Sequence, residues 1–472
     1  MSVDLDRWEI VIGLEVHTEL ATRTKLFSAA TAEFGGEPNT HIDALTLGLP
    51  GSLPVLNEHA VELAIRVGLA LNCTVQRSVF ARKNYFYPDQ SKNYQISQFD
   101  LPINAEGWIE LPDGKIVGIE RAHLEEDTGK TTHIGGGGRI HDATYSLVDY
   151  NRAGVPLLEI VGKPDLRSAE EARAYVSELR AILVAVGASD GKMEEGSLRV
   201  DCNVSVRRRG EVELGTRCEI KNINSLRSLG RAIEYEAARQ VDLIEAGERV
   251  QQQTRHWNED EGRTAKLRSK EEADDYRYFP DPDLVELDPS PEWIERVRAA
   301  LPVLPAQRRH QLVDATGATG TQAALIVDRG LDELVLATIA QGADAARTVT
   351  HAEHNLSDPR ATDLDPAMFA KLVGMDIGGA LSATQTKTVL AELVASGGDP
   401  EEIAAAHGFQ AMDTGELDGL LDELVAQHPD EWQRFCDGDP KITGFFVGKV
   451  MKATQGKADG KVVTSLLQAR KG

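Results

Sequence analysis

Residues 9–19 read EIVIGLEVHTE, and this stretch decides the fold of the N-terminal half. Successive side chains of an extended strand point to opposite faces of its sheet, so Ile10, Ile12, Leu14 and Val16 share one face, and Glu15, His17 and Glu19 share the other. Gly13 leaves room beside them for a backbone or a ligand to approach. Taken alone, this is the ordinary grammar of a half-exposed antiparallel strand with a solvated polar face. The alternative, one wall of a site, depends on what the rest of the chain brings to it.

Two further strands repeat the pattern. GSLRVDCNVSV (196–206) puts Leu198, Val200, Cys202, Val204 and Val206 on one face and Arg199, Asp201, Asn203 and Ser205 on the other, while TRCEIKN (216–222) groups Arg217, Glu219 and Lys221. Adjacent strands of this kind present Asp201 and Glu219 to the same side. ERAHLEEDTGK (120–130) adds His123, Glu125, Glu126 and Asp127 within five residues. Like charges this close repel unless they are solvated or shared by a cation. Glu15, His17, Glu125, Glu126, Asp201 and Glu219 are therefore the candidate metal ligands, and an oxygen-rich set without thiolates favours Mg²⁺ over zinc. A solvated turn is the competing reading of the acidic run.

Basic, aromatic segments supply a complementary half. RKNYFYPDQSKNYQISQFD (82–100) packs Arg82, Lys83, Tyr85, Phe86, Tyr87, Lys92 and Tyr94 into thirteen residues, and EGRTAKLRSKEEADDYRYFPDPD (261–283) adds Arg263, Lys266, Arg268 and Arg277. Such residues hold phosphate and stack a base, which makes Arg82, Tyr87, Lys92, Lys221, Lys266 and Arg268 candidates for ATP contact; plain surface loops are the other account. The GKT at 129–131 is not a P-loop, because position 124, where the motif needs glycine, is Leu124. The glycine run 135–138 reads as a hairpin tip. Any ATP has to be held by metal and side chains on a sheet.

With 51 basic and 75 acidic residues, the chain of 472 carries a formal charge of −24, which excludes a generally basic nucleic-acid binder. Any RNA contact needs a local patch. Residues 441–472 hold seven basic residues against one acidic, and Lys449, Lys452, Lys457 and Lys461 are candidates for contact with a phosphate backbone. A solvated helical face explains the same charges. Cys73, Cys202, Cys218 and Cys436 form no C-x-x-C pair, so neither a disulfide framework nor a thiolate zinc site is expected. No apolar run suits a signal peptide or membrane span, and a cytoplasmic protein of bacterial type is expected.

The organisation reads as an α+β domain over residues 1–290, a helical domain over 291–396 and a helical tail over 397–472. NSLRSLGRAIEYEAARQVDLIEAG (224–247) takes helical period, with Leu226, Leu229, Ile233 and Ala237 on one stripe and Gly247 as its stop. Ser290-Pro291 and Asp399-Pro400 read as helix starts, and Gly397-Gly398 as a boundary.

IGLEVHTEL, KNYFYPDQSKNYQISQFD, RAHLEEDTGK, YSLVDYNRAGVPLLEIV, GSLRVDCNVSV, EIKNINSLRSL and DDYRYFPDPDL occur in one order over the first 290 residues, and GFFVGKVMKATQGKADGK stands near the end. Together they closely resemble the B subunits of the tRNA-dependent glutamyl/aspartyl amidotransferases. The resemblance implies a mixed-sheet cradle domain, similar to the glutamine synthetase and guanido kinase group, followed by two all-α domains. It implies ATP-dependent amidation of glutamate or aspartate misacylated on tRNA(Gln) or tRNA(Asn), through an acyl phosphate, with ATP and Mg²⁺. Glu15, His17 and Glu125, with Glu126, Asp201 and Glu219, match the metal and phosphoryl-transfer centre, and Lys83 and Tyr85 match positions near the reacting nucleotide or aminoacyl end. Ammonia would come from an amidase A subunit, tied in by a small C subunit, and the tail would hold tRNA. Where many members carry C-P-x-C-L-G, this chain reads EPNTHIDALTLGLPGSLP (37–54), leaving only His41 and Asp43 as weak ligands, and no structural zinc is expected. Two rivals remain at this point: a non-catalytic tRNA-binding scaffold, and a small-molecule kinase of related fold.

Overall fold

Residues 9–19 belong to strand β1 (Trp8–Glu19) of a computed structural model that describes residues 4, 6–135, 143–269, 276–409, 414–454, 458 and 460–471, without the side chains of 267–269, 414, 416, 440, 441 and 461. Thirteen more strands follow: β2 (Thr74–Val75), β3 (Ala81–Asn84), β4 (Tyr94–Ser97), β5 (Asn104–Glu110), β6 (Ile116–Glu126), β7 (Lys130–Ile134), β8 (Tyr145–Asp149), β9 (Pro156–Gly162), β10 (Leu198–Arg208), β11 (Cys218–Ile223), β12 (Gln253–Asn258), β13 (Arg263–Ser269) and β14 (Phe279–Pro280). Nine of them form one mixed sheet in the order β13-β12-β11-β10-β1-β9-β6-β5-β2. Among the described residues only the β11–β12 pair is parallel. The strand that opens the chain thus lies at the centre, flanked by β9 and β10, with Glu15 opposite Asp201 and His17 opposite Glu159.

Alternation sorts the two faces as read from sequence. Ile10, Ile12, Leu14 and Val16, together with Leu198, Val200, Cys202, Val204 and Val206, are buried in one core with residues of helices α1 (Glu58–Ala70), α2 (Ala169–Ala185) and α3 (Leu226–Glu245). Each of these helices starts on a side-chain cap, from Asn57, Ser168 and Ser225, which satisfies an amide that the helix itself leaves free. Gly247, in the left-handed region at φ 79°, follows the end of α3 at the position expected for its stop. The helices cover one face of the sheet and leave the other polar. The small sheet β14-β3-β4 stands beside the end of β6, where the Gln95 side chain donates to the Glu126 carbonyl and the Ile96 amide to the Glu126 carboxylate, and the hairpin β7–β8 is a separate ribbon.

The chain divides into two compact units, residues 1–306 and 307–472. The first ends beyond residue 290 because helix α4 (Pro291–Ala299), capped by Ser290, lays Trp293, Ile294 and Val297 against the sheet domain's core. Among the described residues the second unit contains helices and no strand. One of its cores gathers Leu312, Ile326, Val335, Phe369, Leu372 and Leu390 and takes in Ile403 and Ala404, beyond the Gly397-Gly398 pair. Its other core is built on Leu421, Phe435, Phe446, Val450, Val463 and Leu467. Among the described residues, no helix is long and apolar enough to cross a membrane.

Candidate active site

The polar face of the large sheet is the floor of a cleft of about 330 Å³. Strand register brings its side chains together: β6 contributes Arg121, His123 and Glu125, β9 contributes Glu159, β1 contributes Glu15 and His17, β10 contributes Asp201, and β11 contributes Glu219 and Lys221. From the opposite side come Lys83 of β3, Phe99 just after β4, and Tyr276 and Tyr278 just before β14. Phe99 and Tyr278 stack with centroids 4.0 Å apart, and the Lys83 ammonium lies 5.1 Å from the Tyr276 ring centroid.

Two clusters divide the floor. In one, His17 Nε2 lies 3.3 Å from Glu159 and 4.0 Å from Glu125, while His123 Nε2 lies 3.7 Å from Glu159. His17, Glu125 and Glu159 each offer a ligand atom, all within 4.8 Å of one another. In the other, Lys221 pairs with Asp201 and, at 2.9 Å, with Glu219. Asn203 donates to Glu15, and the Thr254 hydroxyl donates to Glu219, both at 2.9 Å.

The electrostatics of these groups are uneven. Burial, then repulsion from Glu159, pushes the carboxyls of Glu15 and Glu125 above their ordinary range. Burial drives His123 down to about 4, leaving it a neutral imidazole. For Glu159 burial acts the other way but is outweighed by His123, His17 and Lys83, which hold it well below the usual carboxylate range. His17 is raised, since burial is outweighed by its bond to Glu159 and by the charges around it. Carboxylates whose ionised form is disfavoured by their neighbours are the arrangement that a hard divalent cation relieves. The donor set at His17, Glu125 and Glu159 fits such an ion, and Lys83 and Lys221 add fixed positive charge for an anionic group.

Of the residues picked out in the sequence, the cleft gathers Glu15, His17, Lys83, Glu125, Asp201, Glu219 and Lys221. Glu126 is not among them. It is next to Glu125 in a strand, so it points to the other face, where it pairs with Lys92 at 2.6 Å and accepts from the Ile96 amide. Lys92 is thereby engaged away from the cleft, in a small cavity shared with Lys25 and Gln90. Arg82 alternates away from Lys83 and is fixed by Asp281 and Asp283 at 2.7 and 3.1 Å under the Tyr94 ring. Tyr85 and Tyr87 border a neighbouring groove that Lys83 and Tyr276 also line. Lys266 is exposed on β13, across from Arg255, whose guanidinium turns to Glu236 beneath α3. The side chains of Arg268 and Lys461, all of Lys457 and the glycines 136–138 lie outside the described residues. Lys449 and Lys452 lie one turn apart on the helix Pro440–Ala453. The Asp43 carboxylate accepts from the amide and hydroxyl of Thr46, and the His41 amide donates to Asn151.

Glu159 is the main residue that sequence reasoning did not single out. A detectable signal existed, since it is the one charged residue in PLLEIVG, a strand buried almost throughout. A carboxylate in such a run needs a partner. Tyr276, Tyr278 and Phe99 also line the cleft, and no spacing in the sequence assigns them to it.

Residues 10–295 match the family model described as the GatB/GatE catalytic domain, and residues 341–470 match the GatB domain. Proteins named as B subunits of the aspartyl/glutamyl-tRNA(Asn/Gln) amidotransferase are similar over nearly the whole chain. That of Salinispora arenicola is 48% identical, covering 99% of this chain and 97% of its own length. Those of Corynebacterium diphtheriae and Synechococcus elongatus are 47% and 46% identical, each across 98% of this chain and 96% and 97% of their own lengths. With the full-length match and both domain matches in hand, the chain belongs to the family of aspartyl/glutamyl-tRNA(Asn/Gln) amidotransferase B subunits.

Proposed function

We propose that this chain activates and amidates the side-chain carboxylate of glutamate or aspartate misacylated on tRNA(Gln) or tRNA(Asn), using ATP. The observation that carries the reading is the meeting of Glu15, His17, Glu125 and Glu159 with Lys83 and Lys221 on one sheet face. A carboxylate is a poor acyl electrophile because its leaving group would be an oxide. Attack of its oxygen on the γ-phosphorus of ATP releases ADP and gives an acyl phosphate. Ammonia then adds to the carbonyl and phosphate leaves. Most of the catalysis in the first step is positioning and charge neutralisation, which suits a site of fixed cations without a P-loop.

The Mg²⁺ that His17, Glu125 and Glu159 would hold, with Glu15 and Asp201 nearby, supplies charge neutralisation on the polyphosphate when bound. Lys83 and Lys221 face the same cleft from opposite sides and would clamp the transferring phosphoryl group. Phe99 and Tyr278 present stacked rings at its lip. The mixed sheet with one open polar face supports a cradle of the glutamine synthetase and guanido kinase kind, where nucleotides are held on a sheet. Ammonia has to reach this cleft unprotonated, which favours an amidase A subunit and a small C subunit assembled with this chain. The half-buried and exposed Lys449 and Lys452 suit contact with the tRNA backbone.

The test is the full complex supplied with ATP, glutamine and each misacylated tRNA. Glu125→Gln is expected to abolish tRNA-dependent ADP formation and acyl-phosphate trapping by hydroxylamine. A normal rate in that variant would assign the chemistry elsewhere.

A further inference from the structure

A short segment roofs the cleft, and its backbone is strained. Beyond the pairs Phe279 with Arg82 and Pro280 with Ala81, the β14–β3 ladder slips by one residue, because the Asn84 amide donates to the Tyr276 carbonyl at 2.9 Å. At the slip, Arg277 takes a φ of +44°, a left-handed conformation that a non-glycine residue adopts only where its surroundings enforce it. The side chain of Asn84 grips the chain at this point. Its Nδ2 donates to the Arg277 carbonyl at 2.9 Å, with the carbonyls of Tyr276 and Arg82 at 3.3 and 3.4 Å. Arg82, two residues earlier on the same side of β3, ties down Asp281 and Asp283 just beyond. The roof is therefore fastened at two points on the side away from the cleft, and both Tyr276 and Tyr278 line the cleft.

Lys83 lies between these fasteners and points the other way. Its ammonium is 5.1 Å from the Tyr276 ring and is held in the charged state chiefly by Glu125, against the cost of burial. Among the described residues its ammonium has no ion pair within 4 Å, and the Tyr276 ring is the aromatic face that borders it.

We propose that Asn84 is a positioning residue for Lys83: by clamping the Tyr276 and Arg277 carbonyls it fixes the Tyr276 ring against the Lys83 ammonium and keeps that cation over the cleft floor. The proposal rests on the reading of the cleft as a phosphoryl-transfer site. Asn84 touches no reacting atom and acts through its neighbours.

A double-mutant cycle in the assembled complex tests it, with ADP formation measured at saturating and limiting ATP. Asn84→Ala should lower kcat by about 10- to 100-fold, the range for a misplaced catalytic group, with a smaller change in KM for ATP. In a Lys83→Ala background the same substitution should cost less than about twofold more. Tyr276→Leu, which removes the ring and leaves the clamp, should reproduce the loss and its disappearance without Lys83, and it serves if Asn84→Ala does not fold. Effects that multiply with Lys83→Ala, or an Asn84→Ala enzyme of normal kcat, overturn the positioning role alone. A Lys83→Ala enzyme of normal kcat overturns the reading of the cleft as well.

Discussion

Glu159 stands alone among apolar neighbours in β9, yet three cationic or ionisable groups converge on it. Removing its charge while keeping its shape should disable the site without disturbing the sheet. Glu159→Gln is expected to lower ATP-dependent turnover by about 10²-fold or more, and to move the His17 titration downward, since Glu159 is what holds it up against burial. Histidine NMR of the free chain checks the second effect. Lys25 offers a contrasting case, a lysine whose head group donates, among the described residues, only to the Tyr150 carbonyl at 3.2 Å and which burial drives down to about 8. Below pH 8 both folded and unfolded chains hold its proton, and the fold carries the whole desolvation cost. Between pH 8 and the ordinary lysine value of 10.5 only the unfolded chain stays charged there, so stability rises with pH. Lys25→Met should therefore stabilise the protein at pH 7 by about 2 kcal/mol after loss of the carbonyl bond, with the gain fading as pH approaches 10.5. Denaturant unfolding of both proteins at pH 7 and pH 10 decides it, and no gain at pH 7 would refute the cost assigned to Lys25. Nothing in TRTKLFS marks that lysine as buried. Glu15 and His17 were legible because alternation exposes them on one face, whereas burial of Lys25 is set by segments far along the chain.

At the level of elements, a strand cannot send adjacent side chains to one site. The acidic run HLEED looked like a single ligand cluster, and the two-residue period divides it: Glu125 joins the cleft, and Glu126 joins Lys92 on the reverse face. The two glutamates should then respond oppositely to the same substitution. Glu126→Gln breaks a buried ion pair and should cost about 3 kcal/mol of stability while leaving divalent-cation binding intact. Glu125→Gln relieves repulsion from Glu159 and should leave the melting temperature unchanged or raised, with cation affinity falling at least about tenfold. Thermal melts together with Mn²⁺ titration by electron paramagnetic resonance measure both, and equal loss of binding in the two variants would contradict the division. Strand identity and facing were legible for β1, β10 and β11 because their period is clean. Strand neighbours were not, since β9 joins β1 across more than a hundred residues and the roof at 276–278 reaches β3 from nearly two hundred residues away.

Across the whole molecule, the charge balance and the division into units set where RNA contact is tested. The first unit ends at 306 instead of 290 because sequence shows that α4 is amphipathic but not which core receives Trp293, Ile294 and Val297. The basic stretch 441–472 has the same double character. Lys452 is exposed and Lys449 half-buried, but Phe446, Val450, Val463 and Leu467 make up much of a core, so deleting the stretch would confound weaker binding with failure to fold. Charge reversal is the cleaner probe, and Lys449 and Lys452 suit it because they share one helix face, Lys452 exposed and Lys449 half-buried beside Phe445. In a chain of net charge −24, contact with a phosphate backbone needs a local excess of basic residues such as this one. Each lysine that neutralises a phosphate releases a counterion, so the double change Lys449→Glu and Lys452→Glu should weaken tRNA binding to the complex. It should also reduce the slope of log affinity against log salt by about 1 for each phosphate no longer neutralised. Filter binding of misacylated tRNA between low and moderate salt measures both quantities, with the melting temperature as a control for folding. An unchanged slope in a folded double variant would mean that these lysines are only a solvated helix face and that tRNA is held elsewhere.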